Sequence, residues 1–257
     1  MKIPSPNAIT LDITQDVARI TLNRPPLNIL TLDIIRELDT VLSEVAEQTN
    51  LKAVVLAANG KAFCAGVDVA DHTPDKVEPM ICEFGQLFTR LRTSPMPTIA
   101  LVQGAALGGG CELAIACDLV IAAESAKFGQ PEIKLGVFPP IAAALFPQLI
   151  GHQQTARLLF SGETISAAEA VRLHLVTYAV ADDTLQATLD HLLAQYRTMS
   201  AAVLRITKRA ILYGNDLGVN ALLEIEDLYL RDLMETTDAH EGIQAFIEKR
   251  QPIWSDK

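Results

Sequence analysis

The sequence predicts an α/β protein in which a largely parallel sheet is followed by a helical C-terminal section. Short apolar runs alternate with an amphipathic helical pattern in the first part of the chain, in the order β-α-β. That order implies right-handed crossovers between parallel strands. From residue 152 onward the apolar periodicity is mostly helical. With 49% apolar and 20% charged residues, the 257-residue chain can bury a sizeable core.

The N-terminal elements begin with a hairpin. Residues 8–13 and 17–22 are β-prone runs separated by a short turn, and the prolines in residues 23–26 end the second run. Thr31 is a suitable N-cap for an amphipathic helix. Its apolar stripe comprises Leu32, Ile35, Leu38, Val41, Leu42 and Val45. Apart from Lys52 at its start, the run over residues 52–58 is apolar, which predicts a strand buried on both faces of a sheet.

A glycine-containing loop, residues 59–68, follows that strand. Loops at the carboxyl ends of parallel strands are where α/β proteins bind ligands, although an ordinary strand-to-helix connection would have the same composition. A helix is predicted over residues 74–92, with Asp71-His72-Thr73 as its cap. Residues 97–103 predict the next buried strand.

Glycines are concentrated after that strand, at Gly104 and at residues 108–110. Three consecutive glycines weaken any regular element, so they indicate a close approach of backbone to a ligand or a positive φ. Neither a phosphate-binding P-loop nor a dinucleotide-binding GxGxxG motif fits the spacing. What remains is the N-terminus of a short helix over residues 109–117, whose free N–H groups would stabilise negative charge on a ligand oxygen.

Two glutamates accompany this turn. Glu112 lies in the first turn of the predicted helix, and Glu132 follows Gln130-Pro131. Two carboxylates that face one pocket can divide acid and base roles if their environments separate their pKa values. The alternatives are a helix-dipole acid for Glu112 and a surface loop acid for Glu132. We expect the pair to carry out acid/base chemistry beside an oxyanion-binding turn.

The elements after the glycine turn are strands and then helices. Residues 118–123 predict a strand, residues 125–129 form an extended piece, and Pro139-Pro140 interrupts the run over residues 133–150. After an apolar strand at residues 175–180, amphipathic helices are predicted over residues 182–196, 201–213, 220–233 and 239–248. We therefore divide the chain into a core over residues 1–195 and a helical region over residues 196–257.

Composition excludes several classes of function. The chain has 21 basic and 31 acidic residues and no basic run, which argues against nucleic acid as the main partner. No apolar run is long enough for a membrane span, and no signal peptide is visible, so a cytoplasmic location is expected. The cysteines predict free thiols rather than a metal site or disulfides; they are Cys64, Cys82, Cys111 and Cys117. Among five scattered histidines, His72 alone closely follows the glycine-containing loop over residues 59–68.

Four segments together resemble the enoyl-CoA hydratase/isomerase (crotonase) superfamily. They are AFCAGVD at residues 62–68, GAALGGGCELAIACDLVIA at 104–122, AKFGQPEIKLG at 126–136 and FIEKRQP at 246–252. The resemblance implies a spiral of repeated ββα units with a C-terminal helical trimerisation region. It also implies homotrimers, often paired into hexamers, and an acyl-CoA thioester substrate, with no cofactor besides the coenzyme A of the substrate.

The resemblance also implies roles for individual residues. The backbone N–H groups of Val67 and Gly109 would form the oxyanion hole for the thioester carbonyl. Glu112 and Glu132 would be the acid/base pair of a hydratase, and retention of both favours water addition. Six further positions would contact the substrate, mainly its coenzyme A portion: Leu27, Ala65, Asp68, Val69, Ala70 and Pro140.

One segment departs from the typical hydratases of this superfamily. Those enzymes have a glycine-rich turn where this chain has Pro139-Pro140, and Pro140 has no N–H with which to hold water. The GVFPP turn and the AGVDVADHTP loop resemble those of the cyclohexa-1,5-diene-1-carbonyl-CoA hydratases, which implies a cyclic dienoyl-CoA substrate. An enoyl-CoA double-bond isomerase and a non-catalytic trimeric scaffold are the alternatives.

Overall fold

A computed structural model describes residues 8–217 and 222–257. The strands are β1 (Ile9–Thr14), β2 (Val17–Leu22), β3 (Ala53–Ala58), β4 (Thr98–Val102), β5 (Ala105–Leu107), β6 (Leu119–Ala123), β7 (Lys127–Gly129), β8 (Thr164–Ser166) and β9 (Tyr178–Val180). The helices are α1 (Leu32–Ala46), α2 (Val77–Arg92), α3 (Gly109–Ile115), α4 (Pro140–Ser161), α5 (Ala167–Arg172), α6 (Leu185–Arg197), α7 (Ala201–Leu217), α8 (Leu222–Asp227) and α9 (Thr237–Glu248). Short 3₁₀ turns span Val69–Asp71, Pro131–Leu135 and Asp182–Thr184, and a π-helical turn spans Leu228–Leu233.

The strands form two sheets, and the predicted α/β class is confirmed. The larger sheet has the order β1-β2-β3-β4-β6-β9, with the predicted antiparallel hairpin at one edge and parallel pairing elsewhere. In the smaller sheet β7 lies between β5, to which it is parallel, and β8, to which it is antiparallel. The successions β4-β5-α3 and β6-β7-α4 are repeated ββα units with one strand in each sheet. The glycine turn therefore follows the strand that enters the smaller sheet.

The core lies on both faces of the larger sheet. In β3, Val54 and Leu56 pack into one apolar cluster, whereas Val55 and Ala57 pack into a second cluster with β6 and α6. Successive side chains of a strand point to opposite faces, so a continuous apolar run requires both faces to be covered. The burial predicted for this strand from its sequence is confirmed.

The beginnings of two helices differ from the prediction. Thr31 occupies the N-cap position of α1, but its side chain makes no capping hydrogen bond. The carboxylate of Asp71 accepts from the N–H of Leu32 instead, at 3.0 Å. The predicted cap of α2 at residues 71–73 is wrong, because α2 begins at Val77 with Lys76 at the N-cap. Asp71 belongs to the separate turn Val69–Asp71, and it caps α1 across the fold.

Other boundaries shift as well. Pro140 begins α4 at a position where a missing N–H costs nothing, so the predicted interruption at Pro139-Pro140 is the start of a helix. The strand β8 lies in a stretch predicted to be helical, because its three residues are too few to show a strand period. Residues 220 and 221, the start of one predicted helix, lie outside the described residues. The predicted boundary at residue 195 falls in the last turn of α6 and stays a prediction.

A buried aspartate ties the C-terminal helices together. Both carboxylate oxygens of Asp238, in α9, accept hydrogen bonds, which come from the hydroxyl of Ser200 and from the backbone N–H groups of Ser255 and Asp256. Burial alone would raise the pKa of Asp238, but these hydrogen bonds outweigh it and lower the pKa. Among the described residues, no helix has both the length and the apolar character needed to cross a membrane.

We expect Asp238→Asn to lower the free energy of unfolding by about 2 to 3 kcal/mol, because an amide nitrogen would face N–H donors. Since the folded-state pKa is depressed, this stabilisation is present at neutral pH and is lost as pH falls below the ordinary aspartate range. Urea unfolding at pH 7 measures the loss. The matched control is Asp227→Asn, an exposed partner of Arg231, which should cost less than about 1 kcal/mol. Equal losses would contradict the prediction.

Candidate active site

A cavity of about 480 Å³ lies beside the glycine turn, near the carboxyl ends of β3 and β5. Four of the residues singled out from the sequence line it together: Val67, Gly109, Glu112 and Glu132. Its walls come from the loop after β3, from α2, from the start of α3 and from residues 131–140. The fold thus brings both glutamates and both predicted oxyanion positions to one cavity.

The glycine turn places one carboxylate. The N–H of Gly108 donates to the carbonyl of Gly129 at 2.9 Å, which connects the turn to the end of β7. Gly108 has a φ of +52°, a conformation that disfavours residues with a Cβ. A Cβ at this position would also lie 2.5 Å from Oε1 of Glu132. The carboxylate therefore packs directly against the bare backbone of the turn.

Val67, in the loop after β3, and Gly109, at the start of α3, are neighbours across the cavity edge. The N–H of Leu30 donates to the carbonyl of Gly66, and the carbonyl of Leu30 accepts from the N–H of Asp68. In this parallel pairing the N–H of Val67, which lies between them, points away from Leu30. The N–H of Gly109 opens α3 and has no intrahelical partner. The two residues are in close contact, because a Cβ on Gly109 would lie 2.7 Å from the Val67 side chain. This arrangement suits a ligand oxygen that develops negative charge.

Glu112 is buried within α3, with 3% of its surface exposed. Its Oε1 accepts a hydrogen bond from the N–H of Ala142, at 2.8 Å, in the first turn of α4. Burial raises the pKa of Glu112 to about 7, with the charge of Glu132 adding to the rise and the Ala142 N–H opposing it. Glu112 is thus able to hold or release a proton near neutral pH.

Glu132 lies in the turn Pro131–Leu135 and is half-buried. Its Oε2 is buried and has no hydrogen-bond partner within the part of the chain that the structure describes. Burial raises the pKa of this carboxyl, while its own backbone N–H and the charge of His72 oppose the rise. The two glutamates therefore have different surroundings, as a division of acid and base roles requires.

The remaining predicted positions separate into two groups. Ala65, Val69 and Pro140 line the cavity. Three others lie outside it: Leu27, Asp68 and Ala70. The carbonyl of Leu27 accepts from the N–H of Ala65 at 2.9 Å, and the carboxylate of Asp68 accepts from the N–H of Ala70 at 3.0 Å. Leu27 and Asp68 therefore support the loop that carries Val67 and do not border the cavity.

Several lining residues are not identified by the sequence. They are apolar side chains from α2, together with Leu135: Val77, Met80, Ile81, Phe84 and Leu135. Their spacing in α2 resembles that of an ordinary core-facing stripe, so no motif distinguishes them. Val137, Phe138 and Pro139 also line the cavity, and they belong to the GVFPP turn that the sequence singled out. His72 also lines the cavity, and its position after the glycine-containing loop over residues 59–68 was its one sequence signal.

Fold and site together define an α/β protein in which two glutamates line one largely apolar cavity beside the glycine-rich start of a helix. The enoyl-CoA hydratase/isomerase family model matches residues 12–257. The cyclohexa-1,5-dienecarbonyl-CoA hydratase of Thauera aromatica is 37% identical over 254 residues, 98% of each chain. The short-chain-enoyl-CoA hydratase of Clostridium acetobutylicum is 34% identical over 253 residues, covering 95% of this chain and 96% of that protein.

Solved structures agree with this relationship. The crystal structure of an enoyl-CoA hydratase from Bacillus anthracis matches with a TM-score of 0.91 and 32% identity, covering 98% of this chain and 100% of that one. A Mycobacterium smegmatis enoyl-CoA hydratase matches with a TM-score of 0.90 and 30% identity, over 96% and 98% of the two chains. The chain belongs to the enoyl-CoA hydratase/isomerase family, and the family and spiral fold expected from the sequence are confirmed.

Because the pKa of Glu112 is raised in the folded protein, its free energy of unfolding should depend on pH. The carboxyl is protonated in both folded and unfolded states below its ordinary pKa, and ionised in both above pH 7, so its burial cost develops between these limits. We expect Glu112→Gln to gain about 3 kcal/mol of unfolding free energy relative to the wild type between pH 4.5 and pH 8. Urea unfolding at several pH values measures this difference. The exposed Glu235→Gln is the control, and a pH-independent difference for Glu112→Gln would refute the prediction.

Proposed function

We propose that this protein is an acyl-CoA hydratase, which adds water to an unsaturated acyl-CoA thioester or removes it. The observation that carries the proposal is the meeting of Glu112 and Glu132 with the N–H groups of Val67 and Gly109 in one largely apolar cavity. The named hydratases among its relatives support the same reaction. The reaction class is that of a hydro-lyase.

The geometry suggests how the reaction proceeds. The thioester carbonyl oxygen binds between the N–H groups of Val67 and Gly109. There the N-terminal end of α3 favours the negative charge that develops on the enolate oxygen. One carboxylate of the pair takes a proton from water as its oxygen bonds to the β-carbon. The other carboxyl, protonated, delivers a proton to the α-carbon. Dehydration reverses both transfers, and no cofactor takes part besides the coenzyme A of the substrate.

The acyl group is proposed to be a cyclic dienoyl group. The apolar walls contributed by α2 and by Leu135 and Phe138 suit a hydrocarbon ring. The likeness to the cyclohexa-1,5-dienecarbonyl-CoA hydratase over 98% of the chain supports this choice. Pro140 contributes to this wall without an N–H, so its backbone donates no hydrogen bond to the added water.

We also propose that the chain forms a homotrimer, or a hexamer of two trimers, through residues 196–257. Large apolar side chains are exposed on its helices, among them Leu223, Leu230, Phe246 and Ile247. Several large apolar side chains exposed on one helical region support a protein interface there. The four cysteines are unpaired, which supports a reducing, cytoplasmic location.

A panel of unsaturated acyl-CoA esters, linear and cyclic, tests the reaction. Wild-type protein should add water to at least one ester, with oxygen from labelled solvent appearing in the product by mass spectrometry. Glu132→Gln should lower kcat by about 10² to 10⁴ and leave the binding of the ester almost unchanged, because a proton-transfer group is lost and the cavity keeps its shape.

The other outcomes identify the alternatives. A shifted double bond without solvent oxygen would establish an isomerase. Inactivity of the wild type over the whole panel would favour the non-catalytic scaffold. Turnover by Glu132→Gln at the wild-type rate would remove Glu132 from the mechanism.

The contact between Gly108 and Glu132 gives a matched test of geometry. Ala at position 108 would be strained by its positive φ and would push against Oε1 of Glu132. Gly151 has a φ of +76°, and a Cβ there would meet no atom of the described residues within 4 Å. We expect Gly108→Ala and Gly151→Ala to lose similar thermal stability. Only Gly108→Ala should lose activity, by about 100-fold in kcat/KM, because misplacing a catalytic group has that effect. Parallel losses of activity would contradict this reasoning.

A further inference from the structure

The cavity has a third polar side chain besides the two glutamates. Among the described residues that line it, the polar side chains are Glu112, Glu132 and His72. Three lining residues are prolines and offer no N–H: Pro131, Pro139 and Pro140. A polar group of a ligand that lies beyond the oxyanion-binding turn therefore has few partners. His72 is the one of the three that is not a carboxyl, and its ring can donate or accept a hydrogen bond.

His72 is held in a fixed position. It follows the 3₁₀ turn Val69–Asp71, and its N–H donates to the carbonyl of Val69 at 3.1 Å. Asp68 caps the turn by accepting from the N–H of Ala70. Asp71 anchors the turn to the start of α1 through Leu32. The imidazole is thus carried by backbone that is bonded on both sides.

The hydrogen bond of the ring determines its tautomer. Nδ1 of His72 lies 3.1 Å from the carbonyl oxygen of Asp68. A carbonyl oxygen only accepts, so Nδ1 carries the hydrogen. In the neutral imidazole, Nε2 is then left as a hydrogen-bond acceptor.

Two carboxyls lie near the His72 ring, and one of them lacks a hydrogen-bond partner among the described residues. The His72 ring lies close enough to Glu132 and Asp71 to influence the pKa of both carboxyls. Asp71 is engaged by Lys76 at 3.1 Å and by Leu32. Oε2 of Glu132 is buried without a partner in the described chain. A hydroxyl group between the ring and this carboxyl would donate its hydrogen to Nε2 of His72 and accept one from Oε2 of Glu132 when that carboxyl is protonated, which would satisfy both.

We propose that Nε2 of His72 accepts a hydrogen bond from the hydroxyl group on the β-carbon of a 3-hydroxyacyl-CoA, and equally from the water that forms it. The identity of this ligand rests on the proposed hydratase function. His72 then gives the cavity a preference for the hydroxylated ester over an ester of the same shape without the hydroxyl group.

Binding of two unreactive esters tests the proposal. The thioester 3-hydroxy-2,2-dimethylpropanoyl-CoA has no α-hydrogen and cannot be dehydrated, and 2,2-dimethylpropanoyl-CoA differs from it only in lacking the hydroxyl group. Wild-type protein should bind the hydroxylated ester about fivefold more tightly in calorimetry, as one net hydrogen bond allows. His72→Leu and His72→Phe should bind both esters equally. His72→Gln, whose amide oxygen accepts, should retain most of the preference.

The control is Met80→Leu, a volume-conserving change in the same wall, which should keep the preference. Two variants without an acceptor are included so that a folding failure of one leaves the other. A preference that is absent in the wild type, or that persists in His72→Leu or His72→Phe, overturns the proposal. Calorimetry needs no turnover, so an inactive wild type with a His72-dependent preference would reject the hydratase function and leave the hydroxyl site standing. An active wild type without the preference would do the reverse.

Discussion

The hydrogen bond from Ala142 to Glu112 joins two elements that are distant in sequence, and the site depends on it. Glu112 projects from α3, and its carboxylate meets the first turn of α4, whose N–H groups lack intrahelical partners. A buried carboxyl would otherwise be strongly disfavoured in its charged form. The helix start therefore limits the rise in the pKa of Glu112, which stays near neutrality. Pro140 fits at the first position of α4 because that residue needs no N–H.

Backbone contacts without side chains hold the other half of the site. Gly108 lets the Glu132 carboxylate approach the turn, and a Cβ on Gly110 would clash with the carbonyl of Cys64. Cys64 bonds in turn to Ala105 and Leu107, which attaches the loop after β3 to β5. These close approaches place Val67 beside Gly109. The glycine-rich composition is therefore a requirement of packing between the loop and α3.

Local patterns in the sequence predict the parts that local physics determines. The hairpin, the doubly buried strand β3 and the short helix after the glycines follow from period, turn residues and propensity. The capping of α1 by Asp71 was not predictable, because its partner at Leu32 is 39 residues away. Likewise, the strand β8 exists only through its pairing with β7. The glutamates were identifiable by their unusual setting, whereas the apolar residues of α2 that form the cavity wall carry no such mark.

The hydrogen bond between Asp71 and Leu32 also shapes the candidate site. Asp71 ends the turn that begins just after Val67, and by capping α1 it fixes the backbone between the oxyanion-binding position and His72. The N–H of Val67 and the ring of His72 are thus two polar groups of the cavity that bonded backbone holds in place relative to each other. Apart from Glu112 and Glu132, the other lining side chains are apolar or proline and offer no partner to a polar atom. In the proposed mechanism, recognition of the acyl group therefore depends on where its polar atom lies relative to the thioester.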